Sequence, residues 1–278
     1  MTENKTWLVT GSARGLGRNI AETILESGAN LVATARDKRH LDELAAKYGS
    51  RIKSVSLDVT DANAARDAIR EAVDTFGRVD VLVNNAGYAD VAPIEEMDEE
   101  TFRAQIDTNF YGVVNLSRAV LPIMRTQKSG HIIQISSVGG RIGGAGLGAY
   151  QAAKWAVGGF SEVLSREVAL FGIKVTIAEP GGMRTNWAGS SMSTPPFSDA
   201  YKPVMEPIIE RLRGADGKQP GDPSRIAVVL MELAKMDKPP LHLLLGSDAV
   251  AVAQMAANNL AASDEKWRYL SESVSYAE

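Results

Sequence analysis

The chain predicts a doubly wound α/β fold: a mainly parallel sheet of seven strands, helices on both faces, one domain. Three observations predict it. Short apolar runs of strand length alternate with longer amphipathic stretches throughout the chain, the pattern of strands joined by helical crossovers. The first apolar run leads directly into a glycine-rich turn that opens a helix. The 278 residues are 45% hydrophobic and 23% charged, ordinary for a chain that buries a large core.

The strand-like runs are Trp7-Thr10, Leu31-Ala35, Ile52-Leu57, Val79-Val83, Ile132-Ser136, Lys174-Ala178 and Leu241-Leu245. Each is short and rich in apolar or β-branched residues, as buried strands are. Between them lie helical stretches such as Leu16-Ser27, Ala62-Phe76, Met97-Met124 and Tyr150-Leu170, with apolar residues recurring every three or four positions. No tandem repeat or low-complexity segment interrupts the alternation. The one shift in composition is Gly181 to Pro223, rich in Pro, Ser, Gly and Met, which reads as an insertion near the site within the same domain.

Composition removes several function classes. A net charge of -4 gives no reason to expect a nucleic-acid or membrane-surface partner. With no cysteine there is no disulfide and no thiolate chemistry, which fits the cytoplasm. His40, His131 and His242 are scattered without ligand spacing, so no metal is expected. No apolar run reaches membrane-spanning length, and no signal peptide is expected before the first strand.

Chemistry concentrates in Ser137 to Lys154. Tyr150 and Lys154 are four residues apart on a helix expected to open near Ala149, so they share one face. A fixed ammonium beside a phenol favours the phenolate, so Lys154 is expected to draw the tyrosine's pKa down from its usual ~10. A phenol tuned in that way is a competent general acid/base. Ser137, at the carboxyl end of the preceding strand, is placed to hold the oxygen that the tyrosine protonates. A Tyr-x-x-x-Lys pair alone is common on helices, so its company decides.

That company starts at Thr10-Gly11-Ser12-Ala13-Arg14-Gly15-Leu16-Gly17, where backbone N–H groups and a helix N-terminus can approach a pyrophosphate. Asn84-Asn85-Ala86-Gly87 follows the fourth strand, then come Asn109, Ser137 thirteen residues before Tyr150, Pro180-Gly181 after the sixth strand, and Thr185. With these landmarks in this order, from about residue 5 to 185, the chain resembles the short-chain dehydrogenases/reductases of the Thr-Gly-x-x-x-Gly-x-Gly and Tyr-x-x-x-Lys type. The resemblance implies a Rossmann-like fold and assigns roles at the matching positions. Tyr150 would exchange the proton, Ser137 position the carbonyl or alcohol oxygen, Lys154 bind the nicotinamide ribose, and Asn109 hold a relay water, a role compatible with its being the polar residue that satisfies a kinked helix. Gly11, Ser12, Arg14, Gly15, Leu16, Gly17, Val59, Pro180, Gly181, Met183 and Thr185 would contact the cofactor. Asn85, Ala86 and Gly87 would line the adenine ribose, although Asn85 could equally brace the neighbouring strands. Asp58 matches the family's adenine contact and is also a common turn former.

Charge bears on which nicotinamide cofactor is used. NAD-binding sites usually end the second strand with an acid that bonds the ribose 2′-OH. Here that position is Ala35, followed by Arg36, and Arg14 sits inside the glycine turn. Two guanidinium groups suit a 2′-phosphate, which predicts NADP; against this, both could be solvated surface charges, with Asp37 paired to Arg36.

The segment at about 182–221 is the expected substrate lid. Its Met183, Trp187, Met192, Phe197, Tyr201 and Met205 suit an apolar substrate, or else pack on the protein's own core. The sequence thus predicts an NADP-dependent oxidoreductase interconverting a secondary alcohol and a ketone, or an alcohol and an aldehyde, on a hydrophobic small molecule. A non-catalytic NADP-binding sensor is the rival; its mark would be a missing catalytic residue, and Asn109, Ser137, Tyr150 and Lys154 are all present. Within the resembling superfamily an enoyl reductase spaces its Tyr and Lys more widely, and a sugar epimerase usually has a different glycine turn. The family commonly pairs subunits through the helices at Met97-Met124 and Tyr150-Leu170, so a homodimer or homotetramer is expected.

Overall fold

The structure, a computed structural model, describes residues 5–185 and 192–276. In chain order its main elements are β1 (Thr6–Val9), α1 (Gly15–Glu26), β2 (Asn30–Ala35), α2 (Asp42–Tyr48), β3 (Ile52–Ser56), α3 (Ala62–Phe76), β4 (Val81–Asn84) and β5 (Ala89–Asp90). They continue with α4 (Glu99–Ile106), α5 (Gly112–Gln127), β6 (Gly130–Ile135), α6 (Gly148–Val168), β7 (Ile173–Pro180), β8 (Met192–Ser193), α7 (Lys202–Gly214), α8 (Pro223–Leu233), β9 (His242–Leu245) and α9 (Ser247–Glu272).

Seven strands form one parallel sheet in the order β3-β2-β1-β4-β6-β7-β9. This is the predicted doubly wound, Rossmann-like domain. The chain winds outwards from β1 in one direction and then, from β4, in the other, which leaves a crevice between the carboxyl ends of β1 and β4. Alternation along the strands divides the core into two layers. Trp7, Val9, Leu31 and Ala33 pack beneath α1, α2 and α8, while Leu8, Val32, Leu82 and Ile132 pack beneath α3, α5 and α6. Each large side chain buried there contributes roughly 1.5–3 kcal/mol of transfer free energy.

The structure departs from the sequence reading in two instructive places. The expected helix Met97-Met124 is broken into α4 and α5 by a single π-helical turn, Asp107–Tyr111. The other is β5, which pairs in parallel with β8 as a separate two-stranded sheet, Ala89 opposite Met192 and Asp90 opposite Ser193. It ties the chain just beyond β4 to the segment that follows β7. No helix among the described residues is long and apolar enough to cross a membrane.

Candidate active site

The turn after β1 is fixed by close contact. Gly15 has φ +56°, left-handed backbone that favours glycine. A Cβ on Gly17 would lie 2.1 Å from the Gly11 carbonyl oxygen and 2.5 Å from Asn85 Nδ2, so only hydrogen fits. Asn85 Nδ2 donates to the carbonyls of Thr10 at 2.9 Å and Gly11 at 3.3 Å. The Thr10 hydroxyl oxygen accepts from the backbone N–H groups of Asn85 and Ala86 at 2.8 and 2.9 Å. These bonds make Asn85 a brace between the ends of β1 and β4. Over Gly15 the space is bounded by Thr185, whose Cβ is 3.6 Å from where a glycine Cβ would be. Thr185 thus stands within ordinary contact distance of the glycine turn.

Other predicted contacts are placed unequally around it. The Ser12 hydroxyl donates to the Val9 carbonyl at 2.9 Å and its N–H to Thr34 at 2.8 Å, so both donors are used within the protein. Leu16 and Val59 are buried in the core layers. Asp58 Oδ1 accepts from the N–H and hydroxyl of Thr60 at 2.9 and 2.8 Å, a turn-forming arrangement at the exposed end of the strand. Pro180 ends β7, and Gly182 N–H is held by Asp248 Oδ2 at 2.7 Å. Met183 makes a parallel bridge with Gly221.

Arg36 and Arg14 are exposed, and among the described residues neither forms an ion pair. The proposed neighbour of Arg36 is engaged elsewhere. Asp37 pairs with Arg39, Nη2 to Oδ2 at 2.6 Å, and also accepts from the Arg39 backbone N–H. That bonding holds the Asp37 carboxyl at about 2.

Beyond β6 and along α6 the four chemistry-bearing residues converge. Ser137 caps the short turn Val138–Gly140, accepting from Gly139 N–H at 3.0 Å. Lys154 is 5% exposed; its Nζ donates to the Ile135 carbonyl at 2.9 Å and lies 5.6 Å from the centre of the Tyr150 ring. Asn109 lies within the π-helical turn and is fully buried. Its Nδ2 donates to the carbonyls of Tyr88 and Gln105, each at 2.9 Å, which leaves Oδ1 buried with no hydrogen-bond partner among the described residues. A Cβ on Gly87 would lie 2.5 Å from that Oδ1 and 3.7 Å from Lys154 Nζ, so one small space adjoins both groups. Asn109 is thus buried within a π turn, a feature associated with functional sites.

The electrostatics correct one expectation. Tyr150 is not drawn below its ordinary range by Lys154. Burial pushes the phenol up, and its hydrogen bond with Ser137 only partly offsets that. The same burial acts on the lysine and pushes the ammonium down to about 8. Desolvation outweighs mutual influence because both groups are taken out of water while the ammonium is turned toward a backbone carbonyl.

The segment expected as a lid builds a small apolar cluster of its own. Met192 and Met205 are buried with Val91, and Leu147, Phe197 and Tyr201 pack against them. Met192 and Phe197 thus show packing within the protein, one of the two readings of their sequence. Trp187 lies outside the described residues. Among the described residues, no group of three or more His, Asp or Glu is placed to hold a metal ion.

Sequence reading missed Thr10, Asp248 and the pair Arg141–Glu179. Thr10 stood inside the quoted turn without an assigned task. The other partners are far apart in the chain, and no local pattern announces them.

Comparison with known proteins gives a consistent placement. The family model for short chain dehydrogenase matches residues 5–195. Oxidoreductase BOA17 of Botryotinia fuckeliana is 53% identical over 268 residues, covering 96% of this chain and 98% of that one. The 3-ketodihydrosphingosine reductase of Bacteroides thetaiotaomicron is 31% identical over 245 residues, 86% of this chain and 87% of that one. A solved short-chain dehydrogenase from Streptomyces avermitilis superposes with a TM-score of 0.92 at 38% identity, covering 99% of this chain and 100% of the other. The chain is an oxidoreductase that belongs to the short-chain dehydrogenase family.

Proposed function

We propose that this oxidoreductase uses NADP(H) to interconvert a secondary alcohol and a ketone, or an alcohol and an aldehyde, on a hydrophobic small molecule. The observation that carries the proposal is that Tyr150 is hydrogen-bonded with Ser137 and adjoined by Lys154, while Lys154 and the unpartnered Oδ1 of Asn109 border one small space next to Gly87. The dinucleotide, when bound, supplies or accepts the hydride. The glycine turn with Gly11, Gly15 and Gly17 would cradle its pyrophosphate, and Gly87, Pro180, Gly181 and Thr185 would border it. Tyr150 gives the proton to a carbonyl oxygen or takes it from an alcohol, and Ser137 holds that oxygen. Lys154 fixes the ribose, and Asn109 Oδ1 holds a water that passes protons onward from the lysine.

Structures of this fold have been solved with NAD and with NADP, so the choice rests on this chain's charges. Arg36 follows Ala35 where an acid would favour NAD, and Asp37 is tied to Arg39. This supports a 2′-phosphate between Arg36 and Arg14. The methionine and aromatic content around Met192, Phe197 and Tyr201 supports an apolar substrate, and the Bacteroides relative is named as a reductase of a keto compound.

We place the working enzyme in the cytoplasm as a homo-oligomer. On α9, Ala249 and Ala253 are buried, and the same three-four spacing continues into Leu260, Trp267 and Leu270, all exposed. A second copy would cover them; light scattering of the purified chain should give a multiple of 29.8 kDa. The function itself is tested by following nicotinamide absorbance with acetophenone, cyclohexanone, ethyl acetoacetate and benzaldehyde. NADPH should support reduction, and NADH should do so poorly. Equal rates with both cofactors would remove the 2′-phosphate assignment.

A further inference from the structure

Glu179 is the penultimate residue of β7, and its side chain is 4% exposed. Arg141 follows the short turn that Ser137 caps and reaches across to it as a two-pronged fork. Its Nε donates to Oε1 at 2.8 Å, and its Nη2 donates to Oε2. Two further side chains complete the cluster. His242 of β9 places Nδ1 3.4 Å from Glu179 Oε1 and Nε2 3.3 Å from Oε1 of Glu162 on α6. The loop after Arg141 is in turn held to α6. Trp155 Nε1 donates to the Ile142 carbonyl at 3.3 Å, and Gly144 N–H donates to Gln151 Oε1 at 2.6 Å.

The pair therefore ties the segment that follows β6 to the end of the neighbouring strand, β7. On one side is the loop that carries Ser137; on the other is the end of β7, which runs into Pro180 and Gly181. Stability alone gives such a pair little reason to exist, because the Arg141 side chain is 34% exposed and solvent screens the attraction. What a bidentate pair adds is direction: it fixes distance and angle between the segments it joins.

We propose that Arg141 and Glu179 are positioning residues, setting where the Ser137 hydroxyl stands relative to the end of β7 and to Tyr150. The proposal rests on the reading of Ser137 and Tyr150 given above. A reacting group misplaced by about 1 Å loses on the order of 10²-fold in rate, so the pair's contribution belongs in turnover and not in cofactor affinity.

The test uses the full chain, with Arg141→Met, Glu179→Leu, the double variant, Arg141→Lys and Tyr150→Phe. Arg141→Met leaves buried Glu179 with His242 alone, Glu179→Leu leaves Arg141 to solvent, and each should lower Tm. The double variant should regain Tm, because both charges are gone. Its kcat on the best-reduced ketone of the panel should nevertheless stay down by roughly 10²-fold, with the NADPH Kd unchanged. Arg141→Lys keeps the charge without the fork and should follow the double variant. A second readout needs no substrate. In the double variant the Tyr150 phenol, isolated as the ultraviolet difference against Tyr150→Phe, should titrate higher than in the native enzyme, because Ser137 no longer holds it. Recovery of both Tm and kcat in the double variant, or a native kcat in Arg141→Lys, would show the pair to be structural only. If Tyr150→Phe itself keeps full turnover, the reading of the site fails and the positioning proposal fails with it. If Tyr150→Phe is inactive and the double variant is fully active, only the positioning proposal is overturned.

Discussion

The glycine turn after β1 and the segment 192–214 both lie beyond the carboxyl ends of the strands, yet they are held by different forces. The turn is held by contacts that admit one atom arrangement: Gly17 against the Gly11 carbonyl, and Asn85 bonded to Thr10 and Gly11. The segment is held by Met192 and Met205 against Val91, with exposed polar links such as Ser198 N–H to Glu96 at 2.8 Å. Directional contacts specify residue types. Apolar contacts among methionines specify only volume and shape, which many side chains could supply. The first region thus admits one residue type at each contact, and the second admits several.

Four substitutions or conditions would break or sharpen that contrast. The largest effect is expected at Gly17. Gly17→Ala drives a methyl group into backbone that cannot move aside, so NADPH binding should be lost and stability should fall by ~1–3 kcal/mol or more. Gly143→Ala, where a Cβ meets nothing within 4 Å, is the control and should be silent. Fluorescence titration with NADPH and urea denaturation measure both.

Met205→Ala comes next. Truncating a fully buried methionine costs ~2–5 kcal/mol, but here the loss should fall on local opening of the segment. Hydrogen exchange should accelerate in residues 192–214 while the main sheet stays protected. Uniform loss across the sheet would show that the segment is part of the central core.

Arg36→Asp should weaken NADPH by ~1.5–3 kcal/mol through the lost charge-assisted contact, with repulsion added, and leave NADH nearly unchanged. Parallel changes in the two cofactors would free Arg36 of the assignment.

The smallest effect concerns pH and lies far from either region. His131 is buried, its Nε2 2.9 Å from the Thr176 hydroxyl, and burial pushes it down to about 4. The unfolded chain, with a pKa near 6.5, therefore binds more protons between about pH 4 and 6.5. Stability should rise with pH across that window, and going from pH 7 to 5 should cost about 2 kcal/mol from this group. His131→Gln should flatten the difference in urea denaturation, and the site's cofactor affinity should not follow it.

The same contrast explains what was legible in the sequence. Asn85 was found only through the family resemblance, whereas Gly17, Tyr150 and Lys154 could be found because a tight turn or helical spacing forces residue types at fixed offsets. The parallel sheet was legible for the same reason, since strands buried on both faces must be apolar throughout. A kinked helix at Asn109 was legible, but the π turn itself was not, because the roughly 100° shift in apolar phase that one extra residue causes is small against the scatter of a short amphipathic pattern. Nor were Arg141–Glu179, 38 residues apart, or Gly182–Asp248, 66 apart, since only the fold brings them together. The direction of the Tyr150 shift was misread because helical spacing reports neighbours but not burial, and burial is the larger influence.

The central claim is that Tyr150 exchanges the proton while the glycine turn holds the cofactor independently of it. The most direct test is Tyr150→Phe, with NADPH binding and ketone reduction measured on the same preparation. Binding should be preserved and turnover should fall by ~10²–10⁴. Turnover within a few-fold of the native rate, or loss of NADPH binding in step with turnover, would contradict it.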